Sequence, residues 1–167
     1  MRLLVSRCLL GEPCRYDGRT KPSLLPKLLE MGFRAEDLIA VCPECDGGLP
    51  TPRAPSELIG GTAEDVLEGR ANILSVEGAD NTAAYRRGAE KAAETAEKNG
   101  IRIALLKAKS PSCSPDGVYD GTFSGRLVPG QGLTAALLRR RGLEVFSEET
   151  LDALSRLKDS HSAEHGC

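Results

Sequence analysis

Three cysteines follow three separate strand-like segments, each in a turn-forming peptide. Cys8 follows the apolar residues 2–6, Cys42 follows residues 38–41, and Cys113 ends a Ser-Pro-Ser-Cys turn after residues 101–106. If these strands are parallel neighbours, their carboxyl ends bring the three thiols into one crevice, where open α/β sheets place their ligands. Three converging thiolates without an obligatory fourth partner indicate a metal centre that keeps one coordination position free for a substrate.

Cys42 and Cys45 form a CxxC pair, which has three interpretations. A thioredoxin-like redox pair places its first cysteine at a helix N-terminus, and we expect no helix here because Gly47, Gly48 and Pro50 follow. A structural zinc site takes four ligands, usually as two close pairs. An iron–sulfur cluster prefers soft thiolates. Spacing alone does not choose between zinc and iron–sulfur, and any single cysteine is more often a small buried hydrophobe.

The composition limits the possible classes of protein. With 167 residues and a formal net charge of −2, the chain is long enough for one domain with an ordinary core and shows no excess of positive charge for nucleic acid. Only three apolar residues separate Arg2 from Arg7, which predicts a core strand and not a signal peptide. No apolar run is long enough to span a bilayer. We therefore expect a cytoplasmic protein without membrane contact or disulfides, in which Cys14 and Cys167 are extra cysteines.

Hydrophobic periodicity predicts alternating strands and helices. Strands are expected at residues 2–6, 38–41, 71–76, 101–106 and 143–146, and helices at residues 23–31, 82–99, 133–141 and from about 150 to 158. Crossover geometry then predicts a single, Rossmann-like α/β domain over residues 1–158, with a mostly parallel sheet flanked by helices and a flexible polar tail at residues 159–167. Residues 42–61 and 110–130 are expected to be long, cysteine-bearing loops at the strand C-terminal ends, with residues 71–76 in a small hairpin near Leu58 or at a sheet edge.

Several longer motifs occur in a fixed order along the chain. They are Cys8-Leu-Leu-Gly11, Cys14-Arg-Tyr-Asp-Gly18, Cys42-Pro-Glu44, Gly47-Gly-Leu-Pro-Thr-Pro-Arg53, Ser110-Pro-Ser-Cys113 and the segment from Gly130 to Glu149. Together they resemble the thiouracil desulfurase family over nearly the whole chain to about residue 150. The resemblance implies a 4Fe–4S cluster held by three cysteines, with its fourth iron open to the sulfur of a thiolated pyrimidine. Matched by motif, the ligands are Cys8, Cys42 and Cys113.

The sequence departs from the commoner family pattern at Cys45, Asp46 and Ser114. Cys45 is therefore a competing candidate ligand, whereas Cys14 belongs to a family motif and is expected to pack near the metal without binding it. A different class of protein also remains open, a non-catalytic zinc-binding module that uses Cys8, Cys42, Cys45 and Cys113. A third class is a redox protein whose cluster or CxxC pair carries electrons.

The resemblance implies a non-redox, hydrolytic desulfuration of a thiolated pyrimidine, such as 2-thiouracil, 4-thiouracil or 4-thiouridine, to the oxo form with release of sulfide. Such a reaction needs proton transfer to and from water and the leaving sulfur. Glu44 is the candidate for proton transfer, and Ser110 is the candidate for positioning or relay. Candidate substrate-binding residues are Tyr16, Asp17 and Arg53, with Phe123 as a second candidate for stacking on the ring. The position of the sulfur, the choice of base, nucleoside or nucleotide, and the oligomeric state stay open.

Overall fold

The computed structural model describes residues 1–164, in which strands and helices alternate. The strands are β1 (Leu3–Ser6), β2 (Leu38–Val41), β3 (Ser56–Ile59), β4 (Asn72–Ser75), β5 (Ile103–Leu106), β6 (Gly117–Tyr119), β7 (Leu127–Pro129) and β8 (Glu144–Ser147). The α-helices are α1 (Leu25–Glu30), α2 (Pro43–Asp46), α3 (Ala63–Leu67), α4 (Thr82–Lys98), α5 (Leu133–Arg140) and α6 (Leu151–Glu164).

A parallel sheet with the strand order β2-β1-β5-β8 forms the centre of the molecule. All four residues of β1 and of β5 are buried. Such continuous apolar runs are typical of parallel strands that are covered on both faces. The predicted α/β fold with a mostly parallel sheet flanked by helices is confirmed.

The two faces of the sheet are covered by different helices, because successive strand residues point to opposite faces. On one face Leu4, Ala104 and Leu106 pack with α4 and α5. On the other face Leu3, Val5, Ile103 and Leu105 pack with Leu28 of α1 and Leu154 of α6. This double covering leaves the strand ends free to carry a site.

The two segments predicted to be irregular loops contain regular structure, and that part of the prediction is wrong. Pro43 begins α2 directly after Cys42, because the first helical position does not need an amide hydrogen. The segment that follows contributes β3, which pairs antiparallel with β4 and places Leu58 opposite Ile73, as the hairpin interpretation predicted. The second segment contains the short antiparallel hairpin β6–β7. The first segment is ordered by pairing with a strand outside it, and the second by pairing within itself, despite the prolines and glycines.

The last helix extends beyond the predicted end at residue 158 and reaches Glu164. The remainder of the predicted polar tail, residues 165–167 with Cys167, lies outside the described residues, and a flexible tail stays a prediction. None of the helices within residues 1–164 is both long and apolar enough to cross a bilayer.

Candidate active site

The carboxyl ends of β1, β2 and β5 open into one cavity of about 430 Å³. Four cysteines line it: the three predicted ligands, Cys8, Cys42 and Cys113, and in addition Cys14. All four thiols are free, as is that of Cys45. The cavity also contains most of the other predicted site residues, namely Tyr16, Glu44, Arg53, Ser110 and Phe123.

Cys8 lies on a single 3₁₀ turn, Arg7–Leu10, that directly follows β1. Gly11 ends this turn in the left-handed conformation, with φ of 93°. The preceding Arg7 donates from Nη2 to Oδ1 of Asp46 at 3.0 Å, and the other oxygen of Asp46 accepts from the backbone amide of Cys42 at 3.1 Å. A single carboxylate therefore ties the turn of Cys8 to the turn of Cys42.

Cys42 stands at the N-cap of α2, and α2 lies directly against α4. A Cβ atom added at Gly88 would overlap the carbonyl oxygen of Pro43, and one added at Gly47 would overlap that of Ala84. The two glycines thus allow backbone-to-backbone contact that holds Cys42 at the cavity. Contact with Cys14 and burial both raise the pKa of the Cys42 thiol.

Cys113 is held by the turn that begins at Ser110. The Ser110 hydroxyl oxygen accepts from the backbone amides of Ser112 and Cys113, at 3.1 and 3.0 Å. The first amides of α5 donate to carbonyl oxygens of the same turn, since Leu133 N lies 2.9 Å from Pro111 O and Thr134 N lies 2.8 Å from Ser112 O. Burial raises the pKa of the Cys113 thiol to about 12. A bound cation would favour the thiolate instead.

Glu44 lies on α2 beside Cys42, and its side chain is 16% exposed. Its Oε1 accepts from the hydroxyl of Tyr85 at 2.7 Å and from Nε of Arg53 at 3.2 Å. Within residues 1–164 no partner reaches Oε2, and no buried side-chain oxygen or nitrogen there lacks a partner, so Oε2 has accessible surface. Glu44 itself lines the cavity. Burial, followed by the charge of Glu44, raises the pKa of Tyr85 well above its usual value and keeps it a donor.

Arg53 is nearly buried and joins several parts of the site. Besides Glu44, it donates to the carbonyl oxygens of Cys14 at 3.0 Å and Pro50 at 3.1 Å. Burial is the largest single influence and lowers the pKa of Arg53, but the charge and the hydrogen bond of Glu44, together with the nearby thiols of Cys45 and Cys42, raise it by more in sum, so the guanidinium stays ionised. Arg53 thereby holds the segment of Cys14 and the carboxylate of Glu44 in one arrangement.

The structure separates the other two predicted substrate-binding residues. Tyr16 lines the cavity and is 44% exposed. Asp17 is not among the lining residues of the described chain. It pairs with Nη2 of Arg15 at 3.2 Å, and Arg15 does line the cavity.

Cys45 is not among the described residues that line the cavity, and its thiol contacts the loop that follows α2. Its Sγ lies 3.4 Å from Oγ1 of Thr51 and 3.6 Å from the carbonyl oxygen of Cys14. Burial raises the pKa of its thiol. In the described residues no three His, Cys, Asp or Glu side chains could hold a single metal ion. Thiols spread around a cavity suit a larger, multinuclear group, and thiolates are the ligands that iron–sulfur clusters use.

Sequence reasoning missed Tyr85 and Glu57. Tyr85 lies within the long helix α4, where an aromatic residue is typical of a core position. Glu57 lies on β3 in the segment predicted to be a loop, yet it lines the cavity and is 7% exposed. No local pattern marks either residue, because their partners lie far away in the chain.

The model of the 2-thiouracil desulfurase family matches residues 3–150. The chain belongs to this family. The resemblance that the cysteine motifs predicted is thus confirmed. The chain is also 44% identical over 151 residues to the uncharacterized protein YbbK of Bacillus subtilis (strain 168), covering 90% of this chain and 97% of that protein.

A solved structure shares the fold of this chain. It is that of TudS, a [4Fe-4S]-dependent thiouracil desulfidase, with a TM-score of 0.81 and 44% sequence identity. The match covers 93% of this chain and 96% of that chain.

Proposed function

We propose that the chain is an iron–sulfur-dependent desulfurase that converts a thiolated pyrimidine to its oxo form and releases sulfide without net oxidation or reduction. One observation carries this proposal. Cys8, Cys42 and Cys113 follow the carboxyl ends of neighbouring strands of one sheet, and they line a single cavity together with Glu44. The likeness to TudS supports it.

Cys8, Cys42 and Cys113 would hold a 4Fe–4S cluster. The cavity of about 430 Å³ has the size of an ordinary ligand pocket, and its three thiols are soft donors. When bound, the cluster supplies an iron that acts as a Lewis acid toward the sulfur of the substrate. Cys45 is not among the described residues that line the cavity, so it is not needed as a ligand in this proposal.

The reaction balances with water alone: one thiocarbonyl and one water give one carbonyl and one hydrogen sulfide. Glu44 takes a proton from the attacking water at Oε2, since Oε1 is occupied by Tyr85 and Arg53. These two donors hold the carboxylate in one orientation, and the proton then passes to the leaving sulfur or to the ring nitrogen.

Ser110 has a double role in this proposal. Its hydroxyl oxygen accepts two backbone amides of the Cys113 turn, which leaves its own hydrogen free to donate to a group in the cavity. Tyr16 lies against the ring from the exposed side. Arg53 acts on the substrate through Glu44, and Asp17 acts through Arg15.

The test uses protein purified or reconstituted without oxygen. We expect broad visible absorption, four irons and four acid-labile sulfides per chain as a 4Fe–4S cluster contains, and release of sulfide from 2-thiouracil. Cys113→Ala should lose the cluster, whereas Cys45→Ala, the matched control, should keep it. Colourless protein with stoichiometric zinc, lost in Cys45→Ala, would contradict the proposal and favour the zinc-binding module.

A further inference from the structure

Glu57 is a buried carboxylate in the same cavity. The reaction proposed above does not use it. It lies on β3, lines the cavity and is 7% exposed. In residues 1–164 no lysine, arginine or histidine forms an ion pair with it, whereas Glu44 is paired with Arg53. Burying an unpaired carboxylate costs free energy unless hydrogen bonds compensate.

One oxygen of Glu57 is satisfied by the hairpin β6–β7. Oε1 accepts from the backbone amides of Gly121 at 2.9 Å and Phe123 at 3.3 Å. The tip of the hairpin approaches β3 so closely that a Cβ atom at Gly121 would lie 2.7 Å from the carbonyl oxygen of Leu58. Glu57 therefore fastens the hairpin tip to the edge of the cavity.

The tip of the β6–β7 hairpin carries Phe123, an aromatic residue that lines the cavity. Phe123 adopts φ of 56°, a left-handed conformation that is uncommon for a residue with a side chain. Phe123 and the neighbouring Tyr119 and Gly125 all line the cavity. The hydrogen bond from its amide to Glu57 stabilises this conformation and so sets the place of the ring.

The second oxygen of Glu57 is an open acceptor. Across the described part of the chain, Oε2 has no hydrogen-bond partner, and no fully buried side-chain oxygen or nitrogen is without one. Oε2 therefore has accessible surface, and the residue that carries it lines the cavity. An ionised carboxylate in this position accepts a hydrogen bond from a donor on a ligand.

The ligand of the proposed function carries a matching donor. A thiopyrimidine ring has an N–H group beside its thiocarbonyl carbon and two flat faces. We propose that Glu57 is a substrate-binding residue, whose Oε2 accepts the ring N–H while its Oε1 holds Phe123 against the face of the ring. This inference rests on the proposed function and adds a specificity: the enzyme selects rings with a free N–H on this edge.

Two non-reacting ligands test the inference on the holoenzyme without turnover. Uracil carries the ring N–H groups, and 1,3-dimethyluracil keeps the ring but lacks them. Anaerobic titration calorimetry should show that wild-type holoenzyme binds uracil about 10- to 100-fold more tightly, the range expected for a hydrogen bond to a charged group. Equal binding of both ligands would overturn the inference without any variant.

Glu57→Gln shows whether the preference for uracil comes from the hydrogen bond to Oε2 or from the bulk of the methyl groups on 1,3-dimethyluracil. Its amide oxygen still accepts the amides of Gly121 and Phe123, so the hairpin stays in place, but an N–H₂ group replaces Oε2. The preference for uracil should fall to about 3-fold or less. The matched control is Glu94→Gln, an exposed position on α4, which should keep the wild-type preference. A preference unchanged in Glu57→Gln would overturn the inference.

Phe123→Leu tests whether Phe123 lies against the face of the ring. Loss of stacking should weaken both ligands alike by about 5-fold or more and leave their ratio unchanged. Unchanged binding of both would overturn the role of Phe123. If the wild-type holoenzyme releases sulfide from 2-thiouracil but Glu57→Gln keeps the wild-type preference for uracil, this inference alone is overturned. A wild-type holoenzyme that neither releases sulfide nor binds uracil overturns the proposed function and this inference with it.

Discussion

Single carboxylates determine how the parts of the site are joined. Glu44 brings together Arg53 and Tyr85, and Asp46 joins Arg7 to the amide of Cys42. Each carboxylate thereby connects segments that lie far apart in the chain. Substitutions of Glu44 and of Asp46 therefore test two different things: proton transfer and the positioning of the thiols.

Glu44→Gln should remove the proton-transfer group and keep the cluster. We expect the rate of sulfide release from 2-thiouracil to fall by about 10²- to 10⁴-fold, the usual contribution of a general base, with unchanged visible absorption. Tyr85→Phe removes only a donor to Oε1 and should lower the rate less. A Glu44→Gln enzyme with the wild-type rate would exclude Glu44 from proton transfer.

Asp46→Ala should weaken the positioning of Cys8 and Cys42 together. Removing a half-buried acceptor from the Cys42 amide and from Arg7 should cost about 1–3 kcal/mol of unfolding free energy and lower the iron content after reconstitution. Urea unfolding and an iron assay measure the two effects. Glu12→Ala, which removes only the exposed partner of Arg7 at 3.5 Å, is the control and should change neither quantity. Normal iron content in Asp46→Ala would contradict the role of Asp46.

At the scale of elements, the position of each thiol depends on a neighbouring helix. α4 supports α2 through the contact at Gly47 and Gly88, and the N-terminal amides of α5 hold the Cys113 turn. The glycines are needed because a side chain at either position would enter the facing backbone. The helices thus act as supports for the cysteine-bearing turns.

Gly88→Ala should displace α2 although alanine favours helix formation. The added methyl group would overlap the carbonyl oxygen of Pro43, and overpacking of this kind costs about 1–3 kcal/mol. We expect a lower urea midpoint and a lower iron content. Glu90→Ala, an exposed substitution in the same helix, should show neither effect. A stabilised Gly88→Ala protein with full iron content would show that α2 does not need this contact.

The start of α3 should be sensitive to acid. Hydrogen bonds from the amide of Thr62 and then from Arg70 lower the pKa of Asp65 from 3.8 to about 2. Because the folded-state pKa is the lower one, ionised Asp65 stabilises the fold above the unfolded value, and this stabilisation is lost as the pH falls from about 4 to about 2. The difference in unfolding free energy between wild type and Asp65→Asn should therefore disappear over that range. A constant difference would contradict the linkage.

At the scale of the whole molecule, one sheet brings together residues from distant parts of the chain. A group bound by Cys8, Cys42 and Cys113 would connect β1, β2 and β5 at one end. Such a group binds the folded state and should stabilise it.

Removal of the cluster should therefore lower the melting temperature. We expect a decrease of about 5–10 °C between holo and apo protein, recovered after reconstitution. Differential scanning calorimetry under nitrogen measures it. Cys113→Ala protein carried through the same treatment is the control and should show no change. Equal melting temperatures of holo and apo protein would indicate that the three thiols are not bridged.

The sequence predicts the central sheet well, because β1, β2 and β5 are short apolar runs that local periodicity detects. The family motifs predict Glu44, Ser110 and the cysteines that line the cavity. The structure of α2 and of β6–β7, and the place of Glu57, depend on contacts such as Gly88 with Pro43 and Glu57 with Gly121. Contacts between residues so far apart leave no local pattern. This is why α2, the attachment of the β6–β7 tip to Glu57 and the second carboxylate itself are not predicted.

The contact between α5 and the Cys113 turn has a consequence for biosynthesis. Cys8 and Cys42 lie in the first third of the chain, shortly after two adjacent strands, and they are made early. Cys113 is held in place only when Leu133 and Thr134 have been added and α5 has folded against its turn. A nascent chain that ends before α5 can offer two thiols but not a fastened third. A site with all three thiols fastened therefore forms only after synthesis of this helix.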